Sequence, residues 1–323
     1  MNAPTLTALH SWEEVDDVFE RAERCETDAD RVALLCDYYY DTSEPLDLDP
    51  FGAEYRAEMV RLHSRITGRE RYTPAESERA GYLDERGLDV VAQPPPFGNG
   101  ASDAIGEYFI AWGYVMRVLA IPPGGSILEY GPGGGQLSVA LARHGLDVSV
   151  VDIEPVYIEA IEEQCSRLGV PITARVGEFG DVPEPGRRYD AVLFFEAFHH
   201  SLDHAELLRR LHTVVSDSGV VAIAGEPIIE PGSYWEPTIP FAWGPRCDLL
   251  SLYAMRRYGW LELGFREAYF YDVSEHAGWV VTKEACALTS RGTTYVLRRR
   301  NEPGRLDRVV TRLTGRLRGR GPA

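Results

Sequence analysis

The sequence predicts an α/β protein: a doubly wound, seven-stranded, mostly parallel sheet preceded by an N-terminal helical segment. Three observations carry this expectation. From about residue 101 onward, short apolar runs alternate with longer helical stretches, the pattern of strands buried on both faces and covered by helices. One apolar run, Ser126 to Tyr130, passes directly into Gly131-Pro132-Gly133-Gly134-Gly135 and then into a helical stretch from Gln136, so strand, glycine turn and helix are contiguous. Residues 1–92, by contrast, read as helices, and they stop at Pro94-Pro95-Pro96, where the missing amide hydrogen and the ring clash forbid a continuing helix.

Taken in order, Ser11-Trp12-Glu13-Glu14 has the form of a capping box and opens the first helix. Helical stretches are expected near 28–40 and 51–67, the second ended by Gly68. The segment from Gln93 to Gly100 reads as a boundary or a lid-like loop. Beyond it, strands are expected near 126–130, 147–152, 172–176, 189–195, 218–224, 265–271 and 292–298, with helices near 101–119, 135–144, 155–168, 203–215 and 246–258. Three parts result: a helical segment over 1–92 that is a candidate substrate lid, a main domain over 93–300, and an arm over 301–323. In that arm Leu306, Val309, Val310, Leu313 and Leu317 recur at helical spacing among arginines, which predicts a basic amphipathic helix. Such a helix suits docking onto its own body, an anionic membrane surface or an acidic partner.

Composition narrows the function. The formal net charge of −17 repels a polyanion over most of the surface, so no nucleic-acid substrate is expected. The five cysteines lack any C-x-x-C spacing, which argues against a disulfide framework or a zinc site. No run reaches the roughly 20 apolar residues of a membrane span, and the first residues lack a secretory pattern, so a cytoplasmic enzyme is expected.

The glycine turn is the sharpest functional signal. Glycines there permit backbone angles closed to other residues and let a ligand lie against the main chain. The next strand ends in Asp152, at about the 20-residue offset of a ribose-binding carboxylate. A dinucleotide is disfavoured, because the sixth position counted from Gly131 is Gln136, where a pyrophosphate-binding helix needs a small residue for close packing. Moreover Glu129, Asp152, Glu154, Glu178, Asp181 and Glu196 gather at expected strand ends with no basic residue among them. Acids repel a pyrophosphate and attract a sulfonium carrying an ammonium group.

On these residues, Glu129-x-Gly131-x-Gly133-x-Gly135, the chain resembles the class I S-adenosylmethionine-dependent methyltransferases over roughly 115–300. The resemblance implies a Rossmann-like domain that binds S-adenosyl-L-methionine. It places Gly131, Gly133 and Gly135 along the methionine part, with Glu129 organising the turn. Asp152 is assigned to the ribose hydroxyls, Ile153 to the adenine, and Gly177-Glu178-Phe179-Gly180-Asp181 to the adenine-contacting segment, its acid being either Glu178 or Asp181.

After the fourth expected strand comes Glu196-Ala197-Phe198-His199-His200-Ser201-Leu202-Asp203-His204, the densest cluster of ionisable groups. Methyl transfer needs the nucleophile aligned and, for a hydroxyl, its proton removed. Histidine suits that task near neutral pH, with His200 the first choice and His199 the second. Glu196 is a candidate contact for the cofactor's amino group, and Asp203 for a helix cap. The spacing fits no metal signature, so no metal is expected. The long connection after the fifth strand, with Tyr234, Trp235, Phe241 and Trp243, suits an acceptor pocket for a sugar or natural product, over which Tyr38-Tyr39-Tyr40 and Phe97 could close. The expectation is therefore O-methyl transfer to a small-molecule acceptor. Its alternatives are a non-methylating step on the same fold, such as cyclisation or decarboxylation, and a non-catalytic cofactor-binding partner.

Overall fold

A computed structural model describes residues 6–42, 46–79, 89–97 and 102–300; the basic arm at 301–323 and the end of the proline loop lie outside the described residues. Near the N-terminus β1 (Thr7–Leu9) pairs in parallel with β2 (Tyr38–Tyr40). The helix Trp12–Glu23 has the expected capping box, Ser11 accepting from the Glu14 amide while the Glu14 carboxylate accepts from Ser11. The expected helix over 28–40 ends at Leu35. Its last residues become strand because Tyr40 donates its amide to the Cys247 carbonyl at 2.7 Å and Tyr40 stacks on Trp12, partners remote in sequence. The tyrosine run consequently lies away from the cleft described below, and Phe97 packs on Phe109 instead of closing over an acceptor.

The main sheet contains β3 (Ser126–Tyr130), β4 (Asp147–Asp152), β5 (Thr173–Val176), β6 (Tyr189–Phe195) and β7 (Val215–Ala224). A small second sheet follows, from β8 (Ile228–Ile229), β9 (Trp243–Pro245) and β10 (Leu263–Arg266). Two further strands, β11 (Trp279–Glu284) and β12 (Thr294–Arg299), complete the main sheet in the order β5-β4-β3-β6-β7-β12-β11. Only β12 runs antiparallel to its neighbours there. Strand order reverses between β3 and β6, so the carboxyl ends of these two strands open the crevice in which such sheets bind ligands.

The count of seven strands holds, but one member is corrected. The apolar stretch expected as a strand over 265–271 belongs to the small sheet only as far as Arg266, and Glu267–His276 is helix. The sixth strand in chain order is β11, an edge strand whose exposed Val280, Thr282 and Glu284 alternate with covered neighbours. Its polar half hides it from a search for continuous apolar runs.

One face of the sheet is covered by the helices Ser102–Leu119, Gln136–Arg143 and Pro155–Leu168, which meet Ile127, Val148, Val150 and Leu193. Leu128, Tyr130, Phe194 and Ile223 on the other face meet His204–Val214 and Glu267–His276. The N-terminal helices pack elsewhere. Val15, Phe19, Leu35 and Leu62 bury against Leu249, Leu252 and Met255 of the helix Leu249–Tyr258, which Asp248 caps by accepting the Ser251 amide at 2.9 Å. The described helices of the N-terminal segment are thus anchored to the insertion between β7 and β11.

Candidate functional site

At the end of β3 the chain turns through Gly131, Gly133 and Gly135, all at positive φ (64°, 52° and 74°), where a side chain is strained. Glu129 is buried beneath the turn and accepts a hydrogen bond from the Ser138 hydroxyl on the following helix. Burial pushes its carboxyl up to about 7. A Cβ added at Gly131 would stand 2.8 Å from Cβ of Ala197 and 3.5 Å from the Phe179 ring, and one at Gly135 would overlap Ile161, which is fully buried. Gly135→Ala is therefore expected to lower stability by about 2–4 kcal/mol, read as a lowered Tm; an unchanged melt would show that the helix beneath can shift freely.

Asp152, at the end of β4, faces the same turn. Its carboxylate accepts the Gly133 amide at 3.1 Å and the Glu154 amide at 2.9 Å, tying turn and strand end together. Burial raises its pKa to about 6, against the pull of those two amides. Ile153 lines the cleft beside it, its carbonyl accepting from Arg79 at 3.3 Å. The ring of Phe179 leans edge-on to Tyr130 and Phe194. Of the two acids left open in that segment, Glu178 is exposed and lines the cleft, whereas Asp181 turns back to accept the Glu178 amide at 3.1 Å. The proline segment lies on the turn itself, with Pro94 and Pro95 against Gly134.

Glu196 follows β6 with φ 51°, a left-handed conformation uncommon outside glycine. Its carboxylate is held by the Arg291 guanidinium, which also donates to the Tyr108 hydroxyl oxygen at 2.9 Å and faces Glu107 at 3.7 Å. The expected absence of basic residues around the strand ends is thereby corrected: Arg291 arrives from the turn before β12, a position that local reading places far away.

The histidines occupy a single 3-10 turn, Phe198–His200. Glu226, fully buried and two residues beyond β7, accepts the amides of Ala197 and Phe198 at 2.7 Å each and that of His199 at 3.1 Å. The same carboxylate lies 2.7 Å from His199 Nδ1, a contact that favours a proton on Nδ1 and turns Nε2 towards Glu262. Burial works against the charge of Glu226, but His199 and the amides outweigh it and hold the pKa below the usual carboxylate range. His199 Nε2 stands 3.6 Å from Glu262 Oε2, and Arg246 approaches Glu262 at 4.0 Å while bonding Asp248 at 2.9 Å.

His200 lies beside His199, the rings tilted by 39° with centroids 4.2 Å apart, and its Nδ1 lies 3.0 Å from Glu78 Oε2, an ion-pair contact without hydrogen-bond alignment. Burial opposes its charge, yet Glu78, with Glu262 and Glu226 beyond, raises its pKa to about 9. Glu78 itself accepts the Leu261 amide at 2.8 Å, and the Tyr72 hydroxyl donates to the His200 carbonyl at 3.1 Å. His204 points into the core between Trp243 and Phe265, Nε2 2.8 Å from the Tyr269 hydroxyl, and burial lowers its pKa to about 4. Asp203 stands at the helix start without capping it and pairs with Arg56 at 2.8 Å instead.

Glu129, Gly131, Gly133, Asp152, Ile153, Glu178, Phe179, Glu196, His199 and His200 all line one cleft of about 1330 Å³, and Gly135 supports it from beneath. Its volume exceeds the roughly 300–1,000 Å³ of a typical single-ligand site, room for two ligands side by side. Local patterning missed Glu78, Glu226, Arg246, Glu262 and Arg291. Glu226 alone had a usable signal, an acid directly after the glycine that ends a strand run.

Residues 127–219 match a family model described as a methyltransferase domain. The chain is 34% identical over 113 residues to a ubiquinone biosynthesis O-methyltransferase of Azorhizobium caulinodans, covering 35% of this chain and 45% of that relative. It is 29% identical over 113 residues to the protein of that name from Xanthomonas campestris pv. campestris, covering 34% and 46%. The chain thus spans less than half the length of these curated relatives. Among solved structures, it is similar to magnesium protoporphyrin IX methyltransferase of Synechocystis PCC 6803 with bound SAH, at TM-score 0.47 and 16% identity, covering 67% of this chain and 95% of that one.

Proposed function

We propose that the chain, whose residues 127–219 match a methyltransferase domain, binds S-adenosyl-L-methionine in the manner of the class I methyltransferases and transfers the cofactor's methyl group to a hydroxyl of a small sugar or natural product. The observation that supports this reading best is that the glycine turn with Asp152 and the Glu226–His199 pair open onto the same cleft. The donor's ribose hydroxyls donate to Asp152, its adenine lies by Ile153 and Phe179, and its charged methionine end meets the acids around the turn.

The acceptor lies towards Trp235, Trp260 and Glu230, where flat aromatic faces and a carboxylate suit the C–H and O–H groups of a sugar. A lone pair of the acceptor oxygen attacks the methyl carbon as the carbon–sulfur bond breaks, giving neutral S-adenosylhomocysteine, while the hydroxyl proton passes to His199 Nε2. His199 takes precedence over His200 on geometry, because Glu226 fixes its tautomer whereas His200 is engaged with Glu78. Arrival of the donor within attacking distance of the oxygen supplies most of the acceleration.

Incubation with methyl-labelled donor and a small-molecule extract tests the reading. The expected result is label in a neutral ether together with S-adenosylhomocysteine. Cofactor binding without turnover would favour the non-methylating alternatives.

A further inference from the structure

We propose that His199, His200 and Glu262 form a binding site for a divalent transition-metal ion at the acceptor end of the cleft. Each offers one ligand atom, and these atoms lie within 4.8 Å of one another. Donors sharing an ion at about 2.0–2.2 Å stand roughly 3–3.5 Å apart. His199 Nε2 and Glu262 Oε2, at 3.6 Å, are already close to that spacing. Side-chain adjustment of about an ångström closes the rest.

Three further observations point to an ion. Glu226 bonds Nδ1 of His199 and is itself clamped by three amides, so Nε2 carries its lone pair towards Glu262. A carboxylate behind the imidazole is the usual support of a metal-ligating histidine. Secondly, the His200 ring lies beside that of His199, centroids 4.2 Å apart, with its Nδ1 3.0 Å from Glu78 Oε2, so two imidazoles and a further carboxylate meet at one place. Thirdly, Glu78, Glu226 and Glu262 crowd the two rings, and the guanidinium at Glu262, that of Arg246, is shared with Asp248. A dication offsets that excess of buried negative charge. Two imidazoles and one carboxylate suit zinc, iron(II) or cobalt(II) better than magnesium. Sequence spacing cannot reveal the site, because Glu262 lies more than sixty residues beyond the histidines.

This inference rests on the reading of this region as the acceptor end, and it changes one step of that reading. With His199 as a ligand, a bound ion would supply acidification of the hydroxyl, and the Glu78 carboxylate, which lines the same cleft, would take the proton in place of His199 Nε2.

The test uses the full chain, stripped with chelator and titrated with Co²⁺ by visible absorption and with Zn²⁺ by calorimetry. One ion per chain is expected, with affinity lost in His199→Ala, reduced at least about tenfold in Glu262→Gln, and reduced about 10–100-fold in Glu226→Gln. S-adenosylhomocysteine binding, measured on the same samples, should persist and so report an intact fold. Absent saturable binding, stoichiometric binding unchanged in the His199 and Glu262 variants, or a preference for Mg²⁺ would each overturn the site. Metal binding without methyl transfer would instead overturn the function proposed above, so the two failures are distinguishable.

Discussion

Replacing His199 by alanine is expected to lower kcat by about 10²–10⁴-fold, whether its Nε2 takes the hydroxyl proton or ligates an ion that acidifies the hydroxyl, with cofactor affinity nearly unchanged. The change removes an imidazole that lines the cleft and leaves the glycine turn and Asp152 untouched. It also removes a partner of the buried Glu226, but that carboxylate keeps the amides of Ala197, Phe198 and His199, so the turn should remain folded. Circular dichroism and S-adenosylhomocysteine calorimetry on the same preparation check this. His200→Ala should cost less, because His200 is drawn towards Glu78. Equal activity of the parent and His199→Ala would remove His199 from the chemistry altogether.

The second large effect is expected at Asp152. Two ribose hydroxyls donating to an ionised carboxylate contribute about 1.5–3 kcal/mol each, so Asp152→Ala should weaken S-adenosylhomocysteine binding at least about a hundredfold. Part of the loss comes from the turn, since Gly133 then loses the acceptor of its amide. The pH dependence carries a definite sign. Burial raises the free carboxyl to about 6, with Glu154 adding to that effect and His200 opposing it. The bound ribose requires the ionised form, so below about pH 6 a proton must leave on binding and affinity should fall as pH falls. Asp152→Asn, which cannot titrate, should bind weakly with a flat profile over the same range. A parent profile equally flat would show that Asp152 does not meet the ribose.

Much of this arrangement is legible in the sequence where cause and effect are neighbours in the chain. The strand Ser126–Tyr130, the three positive-φ glycines and the helix from Gln136 form one local unit, and Asp152 follows at a spacing set by a single helix and strand. Both capping boundaries of the N-terminal helices, Ser11 and Gly68, are local too. Long-range partners are not legible. Tyr38–Tyr40 becomes strand through Cys247, and the edge strand β11 shows only half of an apolar pattern.

The histidine end of the cleft is the least legible because its parts converge from four stretches of chain. Glu78 comes from the N-terminal segment, the histidines follow β6, Glu226 follows β7, and Glu262 precedes β10. Sequence chemistry singles out the histidines, but only their partners decide between them: Glu226 orients one, Glu78 engages the other, and His204 is consumed by the core.

The central claim is that donor and acceptor chemistry meet in this one cleft, and a crystal structure of the full chain with S-adenosylhomocysteine tests it most directly. The account predicts ribose hydroxyls on Asp152, the homocysteine part along Gly131 and Gly133, and the sulfur facing the open side of the cleft towards His199. Its methyl position should leave about 3–3.5 Å for an attacking oxygen within reach of Nε2. A ligand bound away from the glycine turn, or seated there with its sulfur turned from His199, would contradict the account.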